Sequence, residues 1–195
     1  MKKTNYFQDH NKLICPVSYN KEFKLIFSIK KFPIYMGVVE KNFKIEKKDM
    51  NFHINRKTGS VQIFPRVDLS KLYFKSHGSG KIGKTWENHH KKFFNFLNLK
   101  SKKKILEIGG GHNSISVRSR KNKFLDITSF DPNGKKINKK SKLYNEFFSN
   151  NSLKKYNLYQ KFDIAVHSHL FEHIYQPEEF LNSIYDCLKT NGQHI

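Results

Sequence analysis

Acidic residues and glycines are grouped in this 195-residue chain in a pattern suited to holding a nucleotide-like ligand. Residues 104–108 are mostly apolar, as in a buried parallel strand, but include Glu107. A polar turn opens directly after them with Gly109, Gly110 and Gly111. Glycines allow unusual dihedral angles and close approach of a ligand to backbone N–H groups. We therefore expect a strand that ends in a ligand-binding turn.

A second carboxylate strengthens this interpretation. Asp131 follows Glu107 by 24 positions and stands at the end of a second predicted strand, 124–130. A carboxylate at this point can accept both hydroxyl hydrogens of a ribose. A nicotinamide site fits less well, because a Gly-x-Gly-x-x-Gly spacing fails at Asn113 and Ser114.

The elements around these residues alternate between strands and helices over 86–195. A helix is predicted behind Thr85, a short one at 114–120, and an amphipathic one beginning at Pro177 and ending near Gly192. Further strands are predicted at 144–148 and 162–167. This order predicts an α/β fold with a doubly wound, Rossmann-like parallel sheet. Residues 1–85 instead predict a small β-rich module, with strands at 23–29, 43–45 and 61–64.

The segment after the last of these strands resembles a known family. Phe162-Asp and the apolar residues after it, then Leu170-Phe-Glu-His173, Pro177 and Leu188-Lys-Thr-Asn-Gly192, resemble the post-strand-four signature of class I S-adenosylmethionine-dependent methyltransferases. Together with the glycine turn and Asp131, three motifs stand in the family's order. Asn113 stands where a third glycine is common, and Thr190 where proline is usual.

This resemblance implies S-adenosylmethionine as cofactor and assigns roles to the residues named above. Glu107, Gly109, Gly110, Gly111 and Asn113 would contact the methionine part, Asp131 the ribose hydroxyls, and His167 at the strand end would line the cofactor. The family's sheet continues beyond the Lys-x-Asn-Gly turn. We therefore expect this sheet to be incomplete, ending before strand five, with the protein truncated at its C-terminus or its open edge completed by a partner or a second copy.

Three histidines are weak candidates for catalysis. His167, His169 and His173 lie close in sequence, and one of them could act as a general base. A metal site is not expected from them.

The N-terminal module has a weaker resemblance to the zinc-binding leader of sugar C-methyltransferases, carried by Cys15-Pro-Val-Ser18, Phe32-Pro-Ile-Tyr-Met-Gly37 and Thr58-Gly-Ser-Val-Gln-Ile63. That family holds zinc with two Cys-x-x-Cys pairs. Here Ser18 replaces the second cysteine, and no cysteine lies in 51–57. Because Cys15 and His53 do not make the four ligands of a closed site, we predict no zinc.

Composition limits the remaining possibilities. The net charge of +21 suggests nucleic acid, but only four of the 37 basic residues are arginines and the lysines are spread along the sequence. We interpret the charge as composition, so nucleic acid is not the expected partner. Two distant cysteines, no apolar leader and no membrane-length apolar run predict a cytoplasmic protein.

The sequence therefore predicts an S-adenosylmethionine-dependent methyltransferase that acts on a sugar, nucleotide sugar or surface-polysaccharide intermediate. Two alternatives stay open. One is an inactive cofactor-binding remnant or interaction module, and the other is an RNA-directed methyltransferase or basic nucleic-acid binder.

Overall fold

The computed structural model describes residues 12–35, 44–73, 83–97, 103–111, 115–119, 125–135 and 141–195. The protein divides into two compact units, Met1–Lys75 and Ser76–Ile195, and each has its own sheet. Among the described residues, no helix has the length and apolar character needed to cross a bilayer.

The first unit is a three-stranded antiparallel sheet in the order β1-β2-β3. Its strands are β1 (Phe23–Pro33), β2 (Lys47–Asn55) and β3 (Val61–Phe64), and a short helix, α1 (Leu69–Leu72), follows. The strands predicted at 23–29 and 61–64 are confirmed. The one predicted at 43–45 is wrong at Lys44 and Ile45, which precede β2, and Phe43 lies outside the described residues. The middle strand lies later because Phe52 and Ile54 pair with both neighbours.

Cys15 is fully buried in this unit and faces hydroxyl groups. Its Sγ lies 3.5 Å from Thr58 Oγ1 and 3.6 Å from Ser60 Oγ. Burial raises the pKa of the thiol, but hydrogen bonds from Ser18, Thr58 and nearby backbone N–H groups outweigh it and lower the pKa to about 6. The buried Asn55 accepts the Thr58 N–H at 3.0 Å in the opposite turn. The contacts of Cys15 with Thr58 and Ser60 thus join the turn at residues 16–18 to the turn at residues 56–58.

The second unit is a five-stranded parallel sheet in the order β6-β5-β4-β7-β8. Its strands are β4 (Lys103–Ile108), β5 (Leu125–Phe130), β6 (Lys142–Tyr144), β7 (Phe162–His167) and β8 (Leu188–His194). Its helices are α2 (Gly83–Phe96), α3 (Ile115–Arg118), α4 (Asn150–Tyr156) and α5 (Pro177–Cys187), with a 3-10 turn at Phe171–His173. The predicted α/β class with a Rossmann-like parallel sheet and a small N-terminal sheet is confirmed.

Two apolar cores cover the two faces of this sheet, because successive side chains of a strand point to opposite sides. Leu106 and Ile108 of β4 join a core with Leu153 of α4 and Ile184 of α5. Ile105 joins the other core, with residues of β5, β7 and α3 and the residue directly after α2 (Ile127, Ile164, Val166, Ile115 and Leu97). Glu107 lies in β4 between Leu106 and Ile108, so it shares the face of Ile105.

The expectation that the sheet ends before strand five is wrong, because β8 pairs in parallel with β7. The helix predicted to reach Gly192 ends at Cys187, and Leu188 is already extended. The Lys-Thr-Asn-Gly run forms a bulge inside the strand: Leu188 pairs with Phe162, and the next paired residue is Gln193, opposite Ile164. Asn191 takes a left-handed φ of 63° in this bulge. Residues 189–192 therefore depart from regular strand geometry, but they do so inside β8 and not in a turn before it.

Smaller differences concern element boundaries. The strand expected at 144–148 is β6, which ends at Tyr144. Helix α4 was not predicted; it begins after Ser149, whose hydroxyl oxygen accepts the Ser152 N–H. Helix α2 begins at Gly83, two residues before the predicted cap Thr85. Local capping and turn residues decide these ends, and strand or helix periodicity does not report them.

The buried carboxylate of Glu107 joins three elements of this unit. The residue is only 4% exposed. Its Oε1 accepts the Ile115 N–H at the start of α3 at 2.6 Å, and its Oε2 accepts the Ser129 hydroxyl of β5 at 3.1 Å. A buried carboxylate needs such donors, because desolvation of an unpaired charge is costly. A negative group at a helix start is also favourable. The strand, the turn after it and the neighbouring strand are held together through this one side chain.

A second carboxylate joins the opposite end of the sheet. Asp163 Oδ2 accepts the Lys104 N–H at 2.7 Å, and its Oδ1 accepts from Lys189 Nζ at 2.8 Å. It thereby links β7 to β4 and β8. Burial raises the pKa of this carboxyl, but the Lys104 N–H and Lys189 outweigh burial and hold the pKa below its usual value of 3.8.

We expect Glu107→Ala to lower the free energy of unfolding by about 3 kcal/mol, because the buried Ile115 N–H and Ser129 hydroxyl lose their acceptor. Glu107→Gln should lower it less, since the amide keeps one acceptor oxygen. Urea unfolding of the full-length protein measures both. The exposed Glu87→Ala is the matched control, with an expected change within about 0.5 kcal/mol. Equal stability of Glu107→Ala and Glu87→Ala would contradict this role.

The Asp163 contacts predict a pH-dependent stability difference. Because the folded pKa lies below 3.8, the carboxylate stabilises the fold above that pH, and the gain is lost as pH falls through the folded pKa. We expect Asp163→Asn to cost about 1 kcal/mol at pH 7. The gap from wild type should narrow as pH falls from 5 towards 3. Urea midpoints across this range, with exposed Asp126→Asn as control, measure it; a gap that stays constant over the range refutes it.

Candidate functional site

The glycine turn after β4 is shaped by close approach and by left-handed backbone. A Cβ on Gly110 would lie 2.6–2.9 Å from the carboxyl atoms of Glu107, so a larger residue there would displace that side chain. Gly111 has a φ of 57° with open space where a Cβ would be. The N–H of Gly109 donates to the Phe130 carbonyl oxygen at 2.8 Å, which anchors the turn to β5. The turn is thus anchored to β5, and in the described part of the protein nothing fills the place of a Cβ on Gly111.

Asp131 lies at the outer side of this turn, directly after β5. Its Oδ2 accepts the Gly111 N–H and its Oδ1 accepts the Asn133 N–H, both at 2.8 Å. The residue is half-buried, and each carboxylate oxygen has a second lone pair beyond these bonds. Asn145, after β6, donates to the backbone carbonyl oxygens of Asp131 and Gly134. The carboxylate is therefore oriented by backbone groups beside the glycine turn.

A pocket opens on the other side of the turn, at the carboxyl ends of β4 and β7. It brings together four of the residues singled out in the sequence: Glu107, Gly109, Gly110 and His167. It is also lined by residues that the motifs did not indicate: His90, Phe93, Phe94, Ile115, Arg118 and Ser168. Gly111 and Asp131 contact each other outside this lining, and Asn113 lies outside the described residues.

Helix α2 contributes a face of aromatic and imidazole side chains. Trp86, His89, His90, Phe93 and Phe94 recur at the three- and four-residue spacing of one helix face, and all are half-buried. His89 Nε2 lies 3.2 Å from Ser168 Oγ, just beyond β7. This periodicity was the signal that could have placed His89 and His90 at the site.

His169 belongs to this group, although it does not line the pocket. Its ring lies edge-on to Trp86 at 4.7 Å and 5.0 Å from His89, measured between ring centroids. The backbone of His169 is left-handed, with a φ of 53°, where the backbone turns away from β7. The side chain is largely exposed. His169 is therefore held against α2 at the rim of the site.

Two pocket histidines are biased towards the neutral form. Burial lowers the pKa of His90, and the neighbouring charges of His89, Arg118 and His169 lower it further. Burial also lowers the pKa of His167, with a smaller contribution from His194, while Glu172 acts in the opposite direction. A neutral imidazole at neutral pH has a lone pair available to accept a proton.

His167 also forms a pair with His194 of the edge strand β8. Their Nε2 atoms lie 3.0 Å apart, so one ring donates and the other accepts. The expected candidate His173 is placed differently, in the 3-10 turn, where its N–H donates to the Leu170 carbonyl oxygen at 2.9 Å. His173 is not among the residues that line the pocket. In the described parts of the protein, no three His, Cys, Asp or Glu side chains are grouped closely enough to hold a metal ion.

Arg118, in the last turn of α3, supplies a positive charge to the pocket. Within the described residues its Nε atom is buried and has no hydrogen-bond partner. The site thus combines a glycine turn, an oriented carboxylate on one side, and a pocket with neutral imidazoles and one guanidinium on the other.

Comparisons with known proteins find a matching family and a similar solved structure. A family model described as "Methyltransferase domain" matches residues 84–195, which is more than half of the sequence. No curated protein matches the sequence. A solved structure, a TehB-like SAM-dependent methyltransferase from Corynebacterium glutamicum ATCC 13032 Kitasato, is similar with 15% identity and a TM-score of 0.43. The match covers 56% of this protein and 66% of that one, so this protein spans slightly less than two thirds of that structure's length.

The family match covers the glycine turn, Asp131, the pocket and all five strands of the parallel sheet. By this match, the protein belongs to the methyltransferase-domain family.

Proposed function

We propose that this protein is an S-adenosylmethionine-dependent methyltransferase whose acceptor is a small molecule of the sugar or nucleotide-sugar type. The observation that carries the proposal is the juxtaposition of the glycine turn with Asp131 on one side and neutral imidazoles on the other. In this proposal the domain from about residue 86 onward holds the cofactor, and the N-terminal module of residues 1–85 contributes to acceptor choice.

The residues present fit such a cofactor. Gly111 leaves open space where a side chain would otherwise stand, and Gly110 could not be replaced without displacing Glu107. Asp131 has its backbone-facing lone pairs satisfied and its remaining ones available for ribose hydroxyls. Glu107 fits a supporting role better than direct contact with the ligand, because it is buried and its oxygens face Ile115 and Ser129.

S-adenosylmethionine supplies, when bound, a methyl group on a sulfonium sulfur that an attacking atom can take. The protein's own residues then have three tasks: to hold the ligand, to orient the acceptor and to receive its proton. Holding falls to the glycine turn and Asp131. Phe93 and Phe94 line the pocket with apolar surface, which keeps water from it. Orientation of two reactants in one site accounts for much of the acceleration in such transfers.

His90 is the best-placed proton acceptor. It lines the pocket, and its lowered pKa keeps it neutral at neutral pH. His167 also lines the pocket, but one of its ring nitrogens is engaged by His194. His169 and His173 stay weaker candidates, because the first is at the rim and the second is in the 3-10 turn. We therefore assign the role of general base to His90. The neighbouring ring of His89 is oriented by its contact with Ser168.

The sugar class of acceptor rests on the resemblance of the N-terminal module to the leader of sugar C-methyltransferases, without its zinc ligands. An assay of methyl transfer to a panel of free sugars and nucleotide sugars tests this acceptor class. The release of S-adenosylhomocysteine measures the transfer. Methylation of RNA without methylation of any sugar would refute the sugar class and make RNA the acceptor. Cofactor binding without any turnover would favour the inactive remnant.

We expect Asp131→Asn to weaken binding of S-adenosylhomocysteine about 10- to 100-fold, because a carboxylate acceptor is replaced by a weaker one. Isothermal titration of the full-length protein measures the affinity. Asp126→Asn, an exposed change in β5, should leave it unaltered. Urea unfolding shows whether the variant is folded. Unchanged affinity in a folded Asp131→Asn protein would refute the ribose role.

We expect His90→Gln to lower kcat at least 100-fold while the affinity for S-adenosylhomocysteine changes less than about threefold, since the proton acceptor is lost but the cofactor contacts stay. Because a base must be neutral and burial lowers the His90 pKa, wild-type kcat should rise with pH through a midpoint below pH 6.5 and then level off. Lys91→Gln, exposed on the same helix, is the control. A His90→Gln enzyme with wild-type kcat would remove His90 from the reaction.

A further inference from the structure

Arg118 is half-buried, and its Nε is the one buried side-chain nitrogen or oxygen without a hydrogen-bond partner in the described part of the protein. Its Nε is shielded from solvent yet has no hydrogen-bond partner among the described residues. Buried polar atoms of folded proteins are almost always paired, and one left unpaired costs stability. A ligand atom that accepts from this position would remove the cost.

The surroundings of Arg118 indicate which kind of atom that is. The other lining residues are aromatic, imidazole and aliphatic side chains, Ser168 and the glycine turn, and the one carboxylate in the lining, Glu107, accepts from Ile115 and Ser129. No ion pair to Arg118 is found in the described parts of the protein. Its charge also helps to keep His90 neutral. A cation with no ion-pair partner, in a pocket whose one carboxylate is engaged elsewhere, favours an anionic ligand group, and a guanidinium suits a planar carboxylate best.

The position of Arg118 relative to the glycine turn indicates which carboxylate it would bind. Asp131, the proposed ribose acceptor, bonds Gly111 on the outer side of the turn, whereas Arg118 lines the pocket together with Gly109 and Gly110. A ligand that crosses the turn would present its two ends to these two residues. S-adenosylmethionine carries its hydroxyls on the nucleoside and its one carboxylate on the amino-acid part.

We propose that Arg118 binds the carboxylate of the cofactor's amino-acid end. This inference rests on the proposed function, since it assumes S-adenosylmethionine in the site. It adds a binding residue that lies seven positions beyond Gly111, outside the glycine motif. An acceptor carboxylate is the other source of the same chemistry, and the experiment separates the two.

The experiment compares two ligands that differ by this one group: S-adenosylhomocysteine and its decarboxylated analogue. Isothermal titration is performed on full-length wild type, Arg118→Gln and Arg118→Lys. Arg118→Gln should lose about 10- to 100-fold in affinity for S-adenosylhomocysteine and nothing for the analogue, because a charge-assisted pair exists only with the first ligand. Arg118→Lys keeps the positive charge but loses the two parallel N–H donors of the guanidinium, so its affinity for S-adenosylhomocysteine should lie between those of wild type and Arg118→Gln.

Several results would overturn the assignment. Equal weakening of both ligands, or of neither, in Arg118→Gln removes the carboxylate contact. If urea unfolding shows that Arg118→Gln is not folded, Arg118→Lys takes its place in the test. The contact between Arg118 and the carboxylate is then refuted if Arg118→Lys and wild type have the same ratio of affinities for S-adenosylhomocysteine and the analogue. Unchanged cofactor affinity with a raised KM for acidic acceptors assigns Arg118 to the acceptor. Wild type that binds neither ligand refutes the proposed function itself, whereas wild type that binds both equally refutes only the role of Arg118.

Discussion

The buried Glu107 carboxylate is the contact on which the rest of the site depends. It lies in β4 on the α2 face of the sheet, and its two oxygens take up the start of α3 and the Ser129 hydroxyl of β5. Because the carboxyl group fills the space under the turn, a larger residue in place of Gly110 would displace Glu107. The acid therefore sets the path of the backbone that a ligand would contact, while its two oxygens are engaged by Ile115 and Ser129.

The two sides of this turn are chemically different. On the outer side, Asp131 offers acceptors that backbone N–H groups already orient. On the inner side, burial keeps His90 and His167 neutral beside the positive charge of Arg118. The Asp131 carboxylate can accept hydrogen bonds from the hydroxyls of a nucleoside, and the Arg118 guanidinium can bind the carboxylate of an amino acid. The two sides together suit a ligand that contains both parts.

The strands and the glycine turn were predictable from the sequence, and parts of the site were not. The apolar runs around Glu107, before Asp131 and at 162–167 are typical of buried parallel strands, so β4, β5 and β7 were found within a residue. β8 was missed because Asn191 and Gly192 are typical of a turn, whereas parallel pairing with β7 absorbs them as a bulge. His90 and Arg118 belong to no motif; they reach the pocket only because α2 and α3 pack on the same sheet face.

The central claim is that S-adenosylmethionine binds at the turn built on Glu107. Hydrogen exchange of the full-length protein, with and without S-adenosylhomocysteine, tests this claim most directly, because it locates binding without requiring an acceptor. We expect slower exchange in residues 105–119 and 129–133, and no change in β1, β2 and β3 of the first unit. Unchanged exchange throughout, or protection confined to the first unit, would contradict the claim.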